Sequence, residues 1–368
     1  MHTLKVRLEE RERGYPIYIG RGLLSQLGEV ARRHGLPEHV AVIADSTVAE
    51  LYGEAALSSL RSAGYKAELL TFPPGEGSKT LEAAAGLCDG LLARRLDRRS
   101  AIIALGGGVT GDLGGFVAAT YLRGIPWAVV PTTLLAQVDA AIGGKTGVDH
   151  PRGKNLIGAF HQPRFVLTDP ETLSTLPRRE LHAGLAEVVK SALIWDEALF
   201  RFIEERLAAL LSGELAALEG AIAGAARVKA EVVSRDEREG GLRRILNFGH
   251  TIAHALEAAT GYQHLLHGEA VAWGMRAAVW LSQERGLLAS AERARVEALL
   301  RRLPRPPLPE LSPRELLDCI RHDKKVLGGR LHFVLLRRIG EAVVNTGIGE
   351  EALLAAWKYL EDLQRGNP

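Results

Sequence analysis

Short apolar segments rich in β-branched residues alternate with longer helical stretches between residues 40 and 169. Strands and helices that alternate in this way form a parallel sheet with helices on both faces, so this part of the chain predicts an α/β fold. The predicted strands of the sheet are residues 40–44, 67–72, 101–105, 127–130 and 165–167. Residues 4–8 and 15–19 predict an extra pair of strands before it.

The pattern changes after residue 169 to long segments rich in Ala, Leu and Glu, with apolar residues at helical spacing. A Pro-dense stretch, residues 304–313, predicts a connector because proline cannot occupy a helix interior. Since 368 residues exceed the roughly 250–300 that one hydrophobic core serves, we expect two domains, residues 1–175 and 176–368, with a cleft between them. In the second half, the predicted helices are residues 180–194, 199–211, 216–234, 250–259 and 269–284, followed by a hairpin of residues 331–336 and 342–345 and a closing helix of residues 349–364.

Lys and Arg number 46 and Asp and Glu 44, which gives a net charge of +2. This balance predicts neither a nucleic-acid nor a membrane partner. No 18 apolar residues run together, and the first residues contain no apolar signal segment, so we expect a cytoplasmic protein. Cys88 and Cys319 lie far apart, which predicts reduced thiols rather than a disulfide or a metal site.

A glycine-rich segment follows the strand predicted at residues 101–105. Gly106, Gly108 and Gly111 match G-x-G-x-x-G between a strand and a helix, a context in which backbone N–H groups bind a pyrophosphate. The same pattern also fits a tight strand-to-helix turn that binds nothing. The acidic residue expected about 20 positions later is absent, and Thr132 follows Pro131 there instead.

Two other predicted strands are followed by polar groups. Asp45 ends one strand, and the turn of residues 74–79 follows the next. Because the carboxyl ends of parallel strands meet at one edge of a sheet, these positions favour a nucleotide bound across that edge.

Four of the 12 histidines lie between residues 250 and 267. His250 and His254 are four residues apart on one helix face, a spacing that can serve a metal ion. Glu does not follow His250, so the H-E-x-x-H metalloprotease motif is absent. Two histidines and one carboxylate with open positions would suit a catalytic zinc ion, whereas the alternative is a set of imidazoles with purely structural hydrogen bonds.

Glu187 and Lys190 lie on one helix face within an otherwise apolar segment, where an unpaired charge is costly. A carboxylate bound to a metal beside a lysine bound to an anion would remove that cost. An internal Glu–Lys pair would remove it as well, and the spacing does not separate the two interpretations.

Cationic side chains recur in glycine-punctuated, otherwise uncharged segments. Several of them near the predicted nucleotide edge favour a substrate with more than one anionic group, such as a phosphate and a carboxylate. These cations are Arg123, Lys145, Lys154, Lys229, Arg243, Lys324 and Lys325.

The sequence resembles the 3-dehydroquinate synthases of the sugar phosphate cyclase superfamily from about residue 45 to residue 325. Long motifs in a fixed order are far more specific than a lone G-x-G-x-x-G. The resemblance implies an NAD-binding α/β N-terminal domain with a parallel sheet, a mainly α-helical metal-binding C-terminal domain, and a homodimer. The segments that carry it are residues 74–79, 106–123, 131–155, 186–190 and, above all, 236–251, DEREGGLRRILNFGHT.

The resemblance also implies the site residues. Glu187, His250 and His267 would bind Zn²⁺, with Co²⁺ as an alternative, and His254 would lie next to the metal or contact the substrate. The implied NAD contacts are Asp45, Glu76, Lys79, Gly108, Val109, Thr110, Gly111, Asp112, Thr132, Thr133, Lys145, Lys154, Thr172, Leu173, Ser174 and Thr175. The implied active-site residues are Arg123, Asp139, Lys145, Lys154, Asn155, Lys190, Lys229, Glu239, Arg243, Asn247, His254 and Lys324.

The implied reaction converts 3-deoxy-D-arabino-heptulosonate 7-phosphate, an anionic sugar phosphate, to 3-dehydroquinate and inorganic phosphate. It proceeds by transient oxidation at C5 with NAD, elimination of phosphate, reduction, ring opening and intramolecular aldol closure. The resemblance therefore implies a phosphate-eliminating carbon–oxygen lyase of the shikimate pathway, which leads to the aromatic amino acids.

Three other functions stay open at this point. A sibling cyclase would act on glucose 6-phosphate or sedoheptulose 7-phosphate, although Glu239 and Arg243 favour a substrate with a carboxylate because the siblings differ around these positions. A metal-dependent polyol dehydrogenase would share the two-domain architecture but accumulate NADH. A non-catalytic nucleotide-binding protein would leave the buried charges without a role.

Overall fold

The computed structural model describes residues 14–322, 326–327 and 330–366. Within this part of the chain, the strands are β1 (Ile17–Ile19), β2 (His39–Asp45), β3 (Lys66–Phe72), β4 (Ser100–Gly106), β5 (Trp127–Pro131), β6 (Lys145–His150), β7 (Gly153–Phe160), β8 (Val166–Thr168), β9 (Val326–Leu327), β10 (Arg330–Leu331), β11 (Phe333–Arg338) and β12 (Glu341–Asn345). The helices are α1 (Leu27–Arg33), α2 (Ser46–Val48), α3 (Glu54–Ser62), α4 (Leu81–Ala93), α5 (Gly108–Thr120), α6 (Arg178–Trp195), α7 (Glu197–Ser212), α8 (Leu215–Arg235), α9 (His250–Ala259), α10 (His267–Glu284), α11 (Ser290–Arg302), α12 (Pro313–His322) and α13 (Glu350–Gln364).

Six of the strands form one parallel sheet in the order β1-β8-β5-β4-β2-β3. From β2 the chain moves outward to β3, then returns to β4 on the other side of β2 and continues to β5 and β8. The strand order therefore reverses between β2 and β4, and ligands of open α/β sheets bind outside the carboxyl ends of the strands at such a point. Every residue of β4 is buried, as expected for an inner strand covered on both faces.

The sheet separates two hydrophobic clusters, one on each face. One contains Ile43, Leu113 and Trp127, and the other contains Val42, Leu60 and Phe165. Neighbouring residues such as Val42 and Ile43 point to opposite faces because side chains alternate along a strand.

The second half of the chain packs as helices around α10, which contacts α6, α9, α11 and α13. Its residues from Gly268 to Val279 are all buried, which places α10 at the centre of a third cluster that also includes β11. Helix α7 illustrates how the bounds arise, because Asp196 accepts a hydrogen bond from Leu199 N at its start and Gly213, with φ +83°, ends it. Within the described residues, no helix combines the length and the apolar character needed to cross a lipid bilayer.

The predicted fold class is confirmed: a parallel sheet with helices, followed by a mainly helical second half. Of the predicted extra pair of strands, residues 17–19 form β1, which joins the main sheet beside β8. Residues 4–8 lie outside the described part of the chain. The connector ends at Ser312, because Pro313 occupies the first position of α12, where its missing N–H costs nothing.

The strand pair between residues 145 and 160 was not predicted. Strands β6 and β7 form an antiparallel ribbon in which Gly147 pairs with Gly158. A Cβ on Gly147 would lie 2.7 Å from Ile157 O, and one on Gly158 would lie 2.3 Å from Thr146 O. Only glycine permits this approach, and these glycines interrupt the alternating pattern by which a strand is found in a sequence.

Candidate active site

Three buried or half-buried side chains from three helices meet at one point. Glu187 lies in the middle of α6, while His250 and His267 are the first residues of α9 and α10. The Nε2 atoms of His267 and His250 lie 3.5 Å and 3.9 Å from Glu187 Oε1. One donor atom from each residue lies within 4.8 Å of the others.

The close packing of these helices depends on glycine. A Cβ on Gly268 would lie 1.9 Å from Ala183 O on α6, and one on Gly274 would lie 1.9 Å from Gly249 O before α9. Any larger residue would push α10 away from both neighbours. The close approach of the three site residues therefore depends on glycine at both positions.

The geometry fits a divalent metal ion. Donors about 2.0–2.2 Å from a tetrahedral zinc ion lie about 3.3–3.5 Å apart, close to the spacing of the Glu187 and histidine atoms. The Glu187 side chain is 0% exposed; Lys190 Nζ contacts its Oε2, whereas its Oε1 faces the two imidazoles. A buried carboxylate in this position is costly unless a cation binds it.

His267 faces a second carboxylate as well. Its Nδ1 lies 3.3 Å and 3.4 Å from the two oxygens of Glu257, which is buried on α9. Burial opposes the charged imidazole, but Glu257 and Glu187 raise the pKa of His267 to about 10. The His254 ring lies 5.5 Å from that of His250 and 6.2 Å from that of His267, centre to centre.

Lys190 links this cluster to the sheet. It is 1% exposed, and its Nζ contacts Glu187 Oε2 and lies 3.0 Å from Asp139 Oδ2. Asp139 lies in a short helical turn after β5, and its other oxygen contacts Lys229 Nζ. Burial alone would raise the pKa of Asp139, but the two ammonium groups hold it well below its usual value. Burial lowers the pKa of Lys229 despite the carboxylate beside it.

A second set of charges lies where the ribbon meets the segment before α9. Lys145 Nζ contacts Glu239 Oε2, and Asn247 Nδ2 donates to Glu239 Oε1 at 2.6 Å. Burial would raise the pKa of Glu239, but Lys145 and Asn247 outweigh it, so the pKa lies below its usual value.

Arg243 lies beside this set and is 2% exposed. Its guanidinium donates to Glu237 O and, at 3.4 and 3.5 Å, to Gly143 O. Gly143 N donates to the Tyr15 hydroxyl at 2.8 Å. Gly143 has φ +107°, and a Cβ there would lie 2.3 Å from Arg243 Nη2, so the turn requires glycine.

Lys79 is 4% exposed and is surrounded by carboxylates. Its Nζ lies 2.7 Å from Asp112 Oδ2, 3.6 Å from Glu76 Oε1 and 3.8 Å from Asp149 Oδ1. Burial opposes the charge, but these carboxylates raise the pKa of Lys79 above its usual value. Lys154 Nζ lies 3.5 Å from Glu76 Oε1.

Asn155 belongs to the same region of the ribbon. Its backbone N donates to Asp149 Oδ1 at 2.8 Å, and its φ is +56°. Lys154 Nζ also lies 4.6 Å from the centre of the Tyr262 ring, which extends the contacts of the ribbon to the loop before α10.

The glycine-rich turn leads from β4 into α5 as predicted. No side chain caps α5, so the first backbone N–H groups of Gly108, Val109 and Thr110 are available to an anion. A Cβ on Gly106 would lie 2.3 Å from Thr110 Oγ1, which accounts for glycine at the turn. Thr132 N donates to Gly106 O at 2.9 Å, so the ends of β4 and β5 stay together.

The remaining predicted nucleotide residues lie at the same edge of the sheet. Thr133 Oγ1 accepts from Ala136 N at 3.2 Å, and Asp45 Oδ1 caps α2 by accepting from Thr47 N and Val48 N, each at 3.0 Å. The 3-10 turn Pro170–Thr175, which contains Thr172, Leu173, Ser174 and Thr175, follows β8.

One predicted residue among those the structure describes, Arg123, is not brought to these clusters. Arg123 is exposed in the turn after α5, with φ +70°, and its side chain makes no hydrogen bond or ion pair within the described residues. Lys324 lies outside the described part of the chain, as does Lys325.

The structure adds residues that sequence reasoning missed. Glu257 lies three residues after His254 and seven after His250, so helical periodicity could have placed it on the same face of α9. Asp149 lies on the ribbon that was not predicted. Tyr52 donates to Thr172 O at 2.8 Å and contacts Thr175 Oγ1 at 2.6 Å, and no sequence signal marks it.

Comparison with known proteins places this site in context. Residues 69–183 match the 3-dehydroquinate synthase N-terminal family, and residues 184–326 match the 3-dehydroquinate synthase C-terminal family. The chain is 52% identical to a 3-dehydroquinate synthase of Symbiobacterium thermophilum over 351 residues, which cover 94% of this chain and 98% of the relative.

Two solved structures are similar throughout. One is 2-epi-5-epi-valiolone synthase from Streptomyces hygroscopicus with NAD⁺ and Zn²⁺ bound, with TM-score 0.87, 31% identity and coverage of 98% of this chain and 100% of that one. The other is 2-deoxy-scyllo-inosose synthase complexed with carbaglucose-6-phosphate, NAD⁺ and Co²⁺, with TM-score 0.84, 29% identity and coverage of 95% and 96%. Both family matches and the full-length relative agree, and the chain belongs to the 3-dehydroquinate synthase family.

Proposed function

We propose that this chain converts 3-deoxy-D-arabino-heptulosonate 7-phosphate to 3-dehydroquinate and phosphate, with NAD and a divalent metal ion as cofactors. The observation that carries the proposal is the convergence of Glu187, His250 and His267 beside Lys190. In a chain of the 3-dehydroquinate synthase family, this arrangement places a candidate metal site next to a buried cation. The enzyme would be a phosphate-eliminating carbon–oxygen lyase.

Glu187, His250 and His267 would hold the metal ion, which we propose to be Zn²⁺ or Co²⁺. A bound divalent ion supplies Lewis acidity that polarises a coordinated oxygen and favours loss of its proton. The 0% exposed Glu187 and the close helix packing would keep bulk water from the buried side of the site. The centre of the His254 ring lies 5.5 Å from that of His250 and 6.2 Å from that of His267, and His254 is placed to exchange a proton with a substrate bound there.

The carboxyl edge of the sheet would hold NAD. Bound NAD supplies a hydride acceptor that becomes a hydride donor within one turnover. The uncapped start of α5 would bind the pyrophosphate, and the polar groups after β2, β3, β5 and β8 would bind the rest of the dinucleotide. The reversal of strand order between β2 and β4 lies directly beside that helix start.

The cations of these clusters would bind the two anionic ends of the substrate. Lys190 and Lys229 are held side by side by Asp139, and Lys145 and Arg243 lie near each other at the ribbon. We assign these residues to the substrate phosphate and carboxylate together with Lys154, Asn155, Glu239 and Asn247. Arg123 and Lys324 remain proposed substrate contacts on the sequence resemblance alone.

Three further features belong to the proposal. We place the nucleotide-binding domain at residues 1–175 and the metal-binding domain at residues 176–368. We propose a homodimer because of the family resemblance, and a cytoplasmic location because Cys88 and Cys319 are free thiols. Light scattering and cell fractionation would test the last two.

Sibling cyclases are the main alternative, because the two similar solved structures carry such names. The identity of 52% to a 3-dehydroquinate synthase, against 31% and 29% to the siblings, favours the carboxylated substrate. A polyol dehydrogenase would instead accumulate NADH, since it does not return its hydride.

The test is phosphate release by the purified protein loaded with NAD and Zn²⁺. We expect release from 3-deoxy-D-arabino-heptulosonate 7-phosphate, loss of release on chelation, and no net NADH. Glucose 6-phosphate and sedoheptulose 7-phosphate serve as competing substrates in parallel assays. Metal-loaded, NAD-loaded protein that leaves the heptulosonate phosphate unchanged would refute the proposal.

A further inference from the structure

Glu257 lies next to the metal-binding cluster but belongs to none of the roles assigned above. It is 6% exposed and lies on α9, one turn after His254 and two turns after His250. A buried carboxylate needs a partner that offsets the loss of hydration. The partner that the structure gives it is His267.

The two ring nitrogens of His267 face different carboxylates. Nδ1 lies 3.3 Å from Glu257 Oε2, whereas Nε2 lies 3.5 Å from Glu187 Oε1. The ring is thus held between a carboxylate from α9 and one from α6. Only the Nε2 side faces the point where Glu187 and His250 converge.

His250 shows the same arrangement with a different acceptor. Its Nδ1 lies 3.1 Å from Phe248 O, and its Nε2 lies 3.9 Å from Glu187 Oε1. A neutral imidazole carries one N–H, so a hydrogen bond from Nδ1–H leaves the lone pair on Nε2. Both histidines therefore present the same nitrogen to the same carboxylate oxygen.

We propose that Glu257 is a positioning residue that fixes the ring orientation and the Nδ1–H tautomer of His267 for metal binding through Nε2. The proposal rests on the proposed function, which assigns the metal to Glu187, His250 and His267. Acceptors of this kind behind a ligating histidine commonly contribute 10–100-fold in metal affinity. Glu257 would act without touching metal or substrate.

The competing role for Glu257 is that of a ligand. His254, Glu257 and His267 also offer donor atoms within 4.8 Å of one another. A metal ion there would use His267 Nδ1 rather than Nε2 and would leave Glu187 without it. The two roles predict different spectra, because removal of a ligand changes the coordination number and removal of an outer acceptor does not.

The experiment compares wild type, Glu257→Ala and Glu257→Gln. Zn²⁺ affinity is measured by competition with a chromophoric chelator, and Co²⁺-loaded protein is examined by visible absorption. The tautomer of His267 is followed by ¹⁵N NMR of histidine-labelled Zn²⁺ protein. We expect Glu257→Ala to weaken Zn²⁺ binding 10–100-fold, with an unchanged Co²⁺ coordination number and a shifted Nδ1 resonance.

Glu257→Gln keeps an amide oxygen that accepts from Nδ1–H. We therefore expect it to lose less Zn²⁺ affinity than Glu257→Ala, about threefold to tenfold. This variant decides the matter if Glu257→Ala does not fold. Glu297→Gln is the matched control, since Glu297 is also 6% exposed but pairs with Arg276 in the helical core. It should lower stability while leaving the metal affinity of the folded protein unchanged.

Zn²⁺ affinity within twofold of wild type in Glu257→Ala, or in Glu257→Gln if Glu257→Ala does not fold, would overturn the proposal. A Co²⁺ spectrum that reports a lost ligand in Glu257→Ala would overturn it as well, in favour of the ligand role. Wild type that binds Zn²⁺ but releases no phosphate would refute the proposed function without touching this inference. Wild type that binds no metal would refute both.

Discussion

Lys190 Nζ lies 3.0 Å from Asp139 Oδ2 and also contacts Glu187, so one buried ammonium joins the segment after β5 to the metal-binding cluster on α6. The Asp139 and Glu187 carboxylates belong to different elements of the fold. These contacts therefore depend on how the sheet and the helices pack together. Loss of Lys190 should affect both the segment after β5 and the metal-binding cluster.

We expect Lys190→Met to abolish most activity and to destabilise the protein. The substitution leaves the Asp139 and Glu187 carboxylates without their shared cation, and breaking a buried pair costs about 3–5 kcal/mol. Phosphate release should fall at least about 100-fold, as expected when a group that binds developing charge is lost. Lys358→Met, at an exposed position of α13, is the control and should change neither the rate nor the urea midpoint.

The contribution of Asp139 to stability should depend on pH. Its pKa lies well below its usual value in the folded protein, whereas it is about 3.9 in the unfolded chain. A depressed folded pKa stabilises the protein above the unfolded pKa, and this contribution is lost as the pH falls towards the folded pKa.

Urea unfolding of wild type and Asp139→Asn at a series of pH values tests this dependence. The gap between their free energies of unfolding should be fully present at pH 7 and should shrink below about pH 4. A gap that grows on acidification would contradict the assignment. Asp89→Asn removes an exposed carboxylate of α4 and controls for a general effect of charge.

Gly268→Ala should separate α10 from α6. The added Cβ would lie 1.9 Å from Ala183 O, and backbone cannot yield as a side-chain end can. We expect a loss of about 1–3 kcal/mol in unfolding free energy and weaker Zn²⁺ binding. Gly86→Ala is the matched control, because its Cβ meets nothing within 4 Å in α4 and alanine favours a helix by about 1 kcal/mol. Equal effects of the two substitutions would refute the role assigned to Gly268.

A chelator that removes the metal should destabilise the wild type but not a variant that lacks the metal site. A ligand that binds only the folded state at 100 times its Kd contributes about 2.7 kcal/mol. Thermal unfolding with and without a chelator should therefore show a lower midpoint for the chelated wild type. Glu187→Gln should show the same midpoint under both conditions. A chelator effect that persists in Glu187→Gln would place the metal elsewhere.

The sheet and its glycine-rich turn were predictable because their signals are local. A continuous apolar run followed by Gly106 and Gly108 encodes both a buried strand and the start of a helix. The convergence of Glu187 with His250 and His267 was not local, and only the resemblance of long motifs placed these residues together. From the residues alone, Glu187 and Lys190 fitted either a metal site beside an anion-binding lysine or an internal ion pair. The structure shows the Glu187–Lys190 ion pair and also places Glu187 Oε1 near His267 Nε2, as a metal site requires.

The contacts that could not be predicted from the sequence depend on packing between residues that are far apart along the chain. Lys79 is buried because Asp112 and Asp149, which are 33 and 70 residues further along the chain, surround it. Asp149 could not be placed while its ribbon went unrecognised. Glu257 was missed because a glutamate in a helix is ordinarily a solvated residue, and its neighbour His267 begins a different helix.

The pairing of Gly147 with Gly158 also determines where the chain can change length. Successive side chains of a strand point to opposite faces, so a shift of one residue in this ribbon would turn the Lys154 side chain away from Glu76. It would also move the backbone N of Asn155 on one strand away from Asp149 Oδ1 on the other. The two glycines favour this register, because a Cβ at either position would lie within 2.7 Å of a backbone oxygen of the partner strand. An insertion or deletion within either strand of the ribbon, residues 145–150 or 153–160, would shift this register and so displace Lys154 and Asn155 from their carboxylate partners.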